Sequence, residues 1–171
     1  MTLEDQLLAR HAGKSVLLDS NLLLVYLSGS IDPNLFGRFK RVSAYTLKDY
    51  DLLVRLLGFF TVLLTTPHIL TEVSNLANSL PDRFKPEWNH HFAALIASQQ
   101  DTPGLRERWM PAAELTLMSE FAAFGITDAA LSALSVEALV VTEDYRLSGA
   151  LRSQGVQVLN FGDLRKLQQL L

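Results

Sequence analysis

The chain contains no cysteine. That absence excludes disulfides, thiolate nucleophiles and cysteine-ligated zinc together, and it fits a reducing compartment. Long apolar runs are missing too. A run such as "LLLVYL" at residues 22–27 is far short of the ~20 residues that cross a bilayer. There is no excess of positive charge: the net charge is −3. No overall field holds nucleic acid non-specifically, so any such contact needs a local basic face, with metal ions offsetting acidic residues. The opening "MTLEDQLLARHAGK" carries Glu4 and Asp5 where a secretion signal needs a basic start and an apolar centre. Neither an internal repeat nor a low-complexity segment is present. The expectation is a soluble, cytoplasmic protein with no membrane partner. What is there is 171 residues at 49% hydrophobic composition, enough for one domain with a full core. The single domain is expected to cover residues 1–171, with 1–14 as an N-terminal extension.

Four short apolar runs read as strands: "SVLLD" (15–19), "TVLLTT" (61–66), "ALVVT" (138–142) and "VQVLN" (156–160). Three are near-continuous, as in parallel strands covered on both faces. "VQVLN" alternates and belongs nearer an edge. "RERWM" (106–110) is a weak fifth candidate. Helical patterns lie between them. "SNLLLVYLSG" follows the first strand, with Gly29 as its expected stop. "TLKDYDLLVRLL" has Thr46 as N-cap and Leu47, Tyr50, Val54 and Leu57 on one face. "TPHILTEVSNLANSL" opens with Thr66 as cap and Pro67 in the first turn. Further helices are expected from Pro86, over "PAAELTLMSEFAAFG" to Gly125, after Thr127 as cap, over "DYRLSGALRSQG" to Gly155, and over "GDLRKLQQLL". Strands alternating with helices imply an α/β domain, a mainly parallel sheet and right-handed crossovers. The segment 29–45, "GSIDPNLFGRFKRVSAY", fits no element and is expected to be an insertion or a functional loop.

Ligands of an open parallel sheet bind beyond the C-terminal strand ends. Asp19 ends the first strand there. Asp144 lies two residues past Thr142, which ends "ALVVT". Glu72 falls in the helix after "TVLLTT", and Asp128 at the start of the helix before "ALVVT". An unpaired buried charge is costly, and four carboxylates at one rim raise one another's pKa values. Divalent cations resolve both problems. Magnesium and manganese prefer oxygen ligands, and they activate water for phosphodiester cleavage.

The set "LLDSN", "TPHILTEVSNL", "GITDAALSAL", "LVVTEDYRL" and "VLNFGDL" resembles, in this order, the PIN-domain nucleases. The resemblance covers about residues 15–165. It implies a three-layer α/β/α fold with strand order 3-2-1-4-5 and the switch point between strands one and four. It also implies a metal-dependent endoribonuclease in which Asp19, Glu72, Asp128 and Asp144 are the catalytic ligands of one or two Mg²⁺ or Mn²⁺ ions. Asn21 and Thr142 match the small polar residues that accompany the first and last carboxylates. Members of the family are often toxins held by an antitoxin, and are commonly homodimers. This chain is longer than the compact toxin type, mainly between Gly29 and Tyr45.

Each residue also has a structural explanation. Asp19 can simply cap its helix, and Asp128 suits a helix dipole. A lone helical glutamate such as Glu72 is by default solvated. Asp144 can cap "YRLSGAL", and spacing leaves open whether Glu143 or Asp144 faces the site. His90 and His91 diverge by about 100° and cannot readily share a metal. His68 shares a helix face with Glu72, but no motif supports a role for it. In "GRFKR", Arg38, Lys40 and Arg41 flank Phe39 as cations and an aromatic do in RNA binding, with a solvated loop as the plainer account. Trp88 and Trp109 are expected in the core or facing a partner. Asp163 in "FGDL" reads as structural. Two other function classes remain. One is a catalytically inactive RNA-binding or protein-interaction module on the same fold. The other is a different phosphate enzyme, disfavoured because Asn21 stands where an aspartyl phosphatase needs a second Asp and because no "GxxxxGK[ST]" occurs.

Overall fold

The apolar runs build the sheet. The computed structural model describes residues 2–98 and 103–169. Five strands form it: β1 (Ser15–Leu18), β2 (Val62–Thr65), β3 (Gly104–Glu107), β4 (Leu139–Thr142) and β5 (Val158–Asn160). Their order is β3-β2-β1-β4-β5, and every pairing is parallel. Val16 and Leu17 of β1 face Leu63 and Leu64 of β2 on one side, and Leu139 and Val140 of β4 on the other. All of these are buried, as a strand covered on both faces requires. β5 lies at an edge, as its alternation suggests. The weak candidate at 106–110 is displaced: the strand is Gly104–Glu107, and Trp109 lies outside it. Only Gly104 and Leu105 of that strand are buried, so little apolar signal marks it.

Among the described residues, ten α-helices accompany the sheet in a three-layer α/β/α arrangement. They are α1 (Leu3–His11), α2 (Ser20–Ile31), α3 (Leu47–Leu57), α4 (Pro67–Ala77), α5 (Lys85–Ala97), α6 (Ala112–Leu115), α7 (Ser119–Phe124), α8 (Ile126–Leu134), α9 (Tyr145–Ser153) and α10 (Phe161–Gln169). α2 packs on α3, α4 and α5, while α9 packs on β4 and β5. Right-handed crossovers place helices on opposite faces when the chain runs in opposite directions from β1. Among the described residues no helix is long and apolar enough to cross a membrane.

Several expected boundaries move. α2 continues through Gly29 to Ile31. Gly29 is there because the Tyr50 ring of α3 lies against it: an added Cβ would sit 2.2 Å from Tyr50 Cδ2. Segment 29–45 is not a loose loop. It carries two 3-10 helices, Pro33–Gly37 and Lys40–Val42, and buries Leu35, Phe36, Phe39, Val42 and Tyr45. The buried face of α3 holds Asp49, Leu53, Leu56 and Leu57, whereas Leu47 and Val54 are exposed. The buried aspartate in that stripe is what an apolar pattern misplaces. The helix expected over 111–125 breaks into α6 and α7, where the Thr116 hydroxyl donates to the Ala113 carbonyl at 3.0 Å. Thr127 lies inside α8, which follows directly on Gly125 at φ 94°. Thr46 and Thr66 do cap α3 and α4, and Gly155 ends α9 at φ 80°.

Candidate functional site

The switch point of the sheet lies between β1 and β4, because the chain leaves β1 toward β2 and returns on its other side at β4. Asp19 and Asp144 follow these two strands. Asp19 is the N-cap of α2, with Oδ1 accepting from the Leu22 amide at 2.8 Å. Its Oδ2 accepts from the Thr142 hydroxyl at 2.5 Å and from the Glu143 amide at 3.2 Å. These three bonds account for a carboxylate that is only 7% exposed. Burial pushes the Asp19 pKa up, the hydrogen bonds pull it back and the Glu143 charge adds to the rise, leaving it above the ordinary value.

Thr142 is fully buried, and its one hydroxyl joins two strand ends. It donates to Asp19 and accepts from the Asp144 amide at 3.0 Å. Asp144 is exposed and caps α9, Oδ1 accepting from the amides of Arg146 at 2.7 Å and Leu147 at 3.1 Å. Glu72 is half-buried in the second turn of α4, and its Oε2 accepts from the Ser20 hydroxyl at 3.0 Å. Asn21 is exposed beside Ser20. Ser20 therefore makes the contact that joins α2 to Glu72, a role that the sequence offers no signal for beyond a hydroxyl next to Asp19.

Asp128 is the third residue of α8 and is half-buried. Its pKa is pushed up to about 7, first by burial and then by the charges of Glu72, Asp19 and Asp144. Three carboxylates spread along the chain thus act on a fourth, Asp128, at one rim of the sheet. They are electrostatically joined without a ready-made shell: among the described residues no three His, Cys, Asp or Glu stand close enough to hold a metal ion.

Glu143 belongs to a different set of contacts. Arg165 Nη1 donates to Glu143 Oε1 at 2.6 Å, and the Tyr45 hydroxyl is hydrogen-bonded to the same carboxylate. Burial first, and then Glu143, hold Tyr45 far above the ordinary phenol value. Asp144, and not Glu143, is among the charges that raise Asp128. Arg165, Tyr45 and Ser20 were not legible as site residues, because nothing in their local sequence marks them.

The basic segment divides. Arg38, Lys40 and Arg41 are exposed and form no ion pair among the described residues. Phe39 is 1% exposed in the core, so the expected stacking of this ring on a base would require unpacking it. Trp88 is buried, whereas Trp109 is 78% exposed. His90 and His91 meet edge to face with centroids 6.1 Å apart, and neither adjoins the four carboxylates in a metal-holding group. Asp163 accepts from the Tyr145 hydroxyl at 2.9 Å, in keeping with a structural role. Comparison of the chain with protein-family models, with curated proteins and with solved structures finds no match.

Proposed function

We propose that the protein is a metal-dependent endoribonuclease of the PIN-domain kind, hydrolysing RNA phosphodiester bonds at the rim formed by Asp19, Glu72, Asp128 and Asp144. The observation that carries this reading is the coupling at Asp128, where burial and three other carboxylates hold a proton on an aspartate near neutral pH. Negative charges that raise a neighbouring carboxyl's proton affinity also favour a cation beside it. The donors are all carboxylate oxygens, which suits one or two Mg²⁺ or Mn²⁺ ions rather than softer metals. When bound, such a cation supplies Lewis acidity and a lowered pKa for water.

The chain's own residues orient the donors. Asp19 is held by Leu22, Thr142 and Glu143; Oδ2 accepts two of these bonds, and Oδ1, which accepts one, keeps a second lone pair. Ser20 steers Glu72, and Thr142 spaces Asp19 from the start of α9. Asp128 serves only after losing its proton. No side-chain nucleophile is needed, in agreement with a chain without cysteine. On the same reading the enzyme works in the cytoplasm as a homodimer, and as a toxin-type ribonuclease it would be held by an antitoxin.

The test is cleavage of structured and single-stranded RNAs in Mn²⁺, Mg²⁺ or EDTA, wild type beside Asp19→Asn, which keeps a capping side chain. Cleavage should require metal and fall in the variant by more than the roughly 10–100-fold that loss of an outer partner costs. A second reading, an interaction module without activity, draws on Trp109 and Leu117, which are 78% and 87% exposed. It takes over if no RNA is cut and calorimetry detects no Mn²⁺ binding.

A further inference from the structure

Beside Glu72 a cleft of about 490 Å³ opens between α4 and the start of α8. Helical spacing builds one wall. His68, Thr71, Glu72 and Asn75 stand at i, i+3, i+4 and i+7, so they share one stripe of α4 and line the cleft together. The opposite stripe, Ile69, Leu70, Val73 and Ala77, is buried in the core. Ile126 and Thr127 of α8 form the facing wall, next to Asp128. The volume lies within the ~300–1,000 Å³ typical of sites for small ligands.

The lining chooses its ligand. Among the described residues neither lysine nor arginine lines the cleft, and Glu72 does, so a phosphate or other anion is repelled from it. Asn75 supplies an amide donor and an amide acceptor, and the two threonines supply hydroxyls. Ile126 adds an apolar surface. His68 is half-buried in the cleft wall, and its Nδ1 is buried with no hydrogen-bond partner among the described residues. A neutral ligand that is rich in hydrogen-bonding edges and has an apolar face meets all these conditions, and a nucleobase is such a ligand. The edge must be free of a pairing partner, which selects single-stranded nucleic acid.

We infer that this cleft is a nucleobase pocket, which takes the base of a nucleotide flanking the scissile phosphate of single-stranded RNA and reads its edge with Asn75 and His68. The placement next to the scissile phosphate rests on the nuclease reading of Glu72 and Asp128. The chemistry of the pocket does not. Asn75 is exposed on α4, and Asn75→Ala removes its amide at a position where alanine favours the helix.

The experiment has two arms. The first titrates adenosine, guanosine, cytidine and uridine in EDTA, watching the Asn75 side-chain amide and the His68 ring by NMR. The range extends to about 20 mM, above the millimolar Kd of so small a ligand. At least one nucleoside should move both groups, inorganic phosphate should move neither, and Asn75→Ala should weaken binding about tenfold (1.4 kcal/mol). The second arm maps cut sites in an RNA pool of random sequence with Mn²⁺. Wild type should prefer one base at a fixed position beside the cut, and Asn75→Ala should flatten that preference while slowing cleavage. The pocket is overturned if no nucleoside moves either group, or if phosphate moves them as strongly. A base preference unchanged in Asn75→Ala overturns it too, and leaves the nuclease standing. Nucleoside binding together with a complete lack of RNA cleavage and of Mn²⁺ binding sinks the nuclease reading instead, and keeps the pocket as a nucleoside site.

Discussion

At Asp128 a carboxyl group is held to about pH 7 by burial and by Glu72, Asp19 and Asp144. The sign of its effect on stability follows from linkage. The ordinary value is 3.8, so between about pH 4 and 7 the folded protein keeps a proton that the unfolded chain has lost. Stability therefore falls as pH rises through that window and stays lower above it. Asp128→Asn removes the titration. In EDTA its Tm should match wild type below about pH 4, exceed it by a margin that grows to about pH 7, and then hold steady. RNA cleavage by the same variant should be lost. A variant that is more stable and inactive marks a residue kept for function, whereas a Tm difference that ignores pH would remove the coupling argument. Sequence alone could not separate capping from metal binding at Asp19, and the geometry shows why: the capping bond to Leu22 uses Oδ1, while Oδ2 turns to Thr142 and Glu143.

Among the elements, α2 and α3 show where apolar pattern is a poor guide. The buried face of α3 includes Asp49, which Arg165 neutralises from α10, and a count of apolar positions cannot foresee a cation arriving from the far end of the chain. Gly29 likewise reads as a stop, yet it marks a close approach of Tyr50 inside a continuing helix. Gly29→Ala should therefore destabilise. Overpacking against the Tyr50 ring costs ~1–3 kcal/mol, and the gain in helix propensity returns about 0.5–1. Urea unfolding should give a net loss of about 1–2 kcal/mol, and a variant as stable as wild type would mean the ring moves aside freely. The start of α4 was legible, but the helix ends at Ala77 instead of running on to Leu80, and Leu76 is only half-buried. Thr66 and Pro67 set the start of the helix, and Ile69 and Val73 its buried face, and so its polar face beside Glu72.

For the whole molecule, Arg165 ties three distant parts of the chain together. Its guanidinium donates to both oxygens of Asp49 at 2.8 and 3.1 Å, to Glu143 at 2.6 Å and to the Ala44 carbonyl at 3.1 Å, and it lies 5.2 Å over the Tyr45 ring. Glu143 in turn lends its amide to Asp19, so α10 and segment 29–45 brace the turn that positions the acidic rim. Arg165→Gln would leave Asp49, whose side chain is 7% exposed, without its cation. The expected loss is about 3 kcal/mol, or roughly 6–12 °C in Tm. Cleavage should fall even at temperatures where the variant is folded. Full activity in a folded variant would show that the brace serves stability alone.

The parallel α/β architecture was written in the order of the residues, because continuous apolar strands separated by capped helices have few other ways to bury themselves. That order also set which carboxylates stand at strand ends and helix starts, since those positions follow from element boundaries. The rest depended on how the elements pack in space. Packing turned segment 29–45 into part of the core and took Phe39 out of reach of any ligand. Contacts between residues far apart in the chain sent Glu143 to Arg165, brought Ser20 to Glu72 and made Thr142 the bridge between two strand ends. Local pattern records the faces of an element. It does not record which polar groups meet when those faces are assembled.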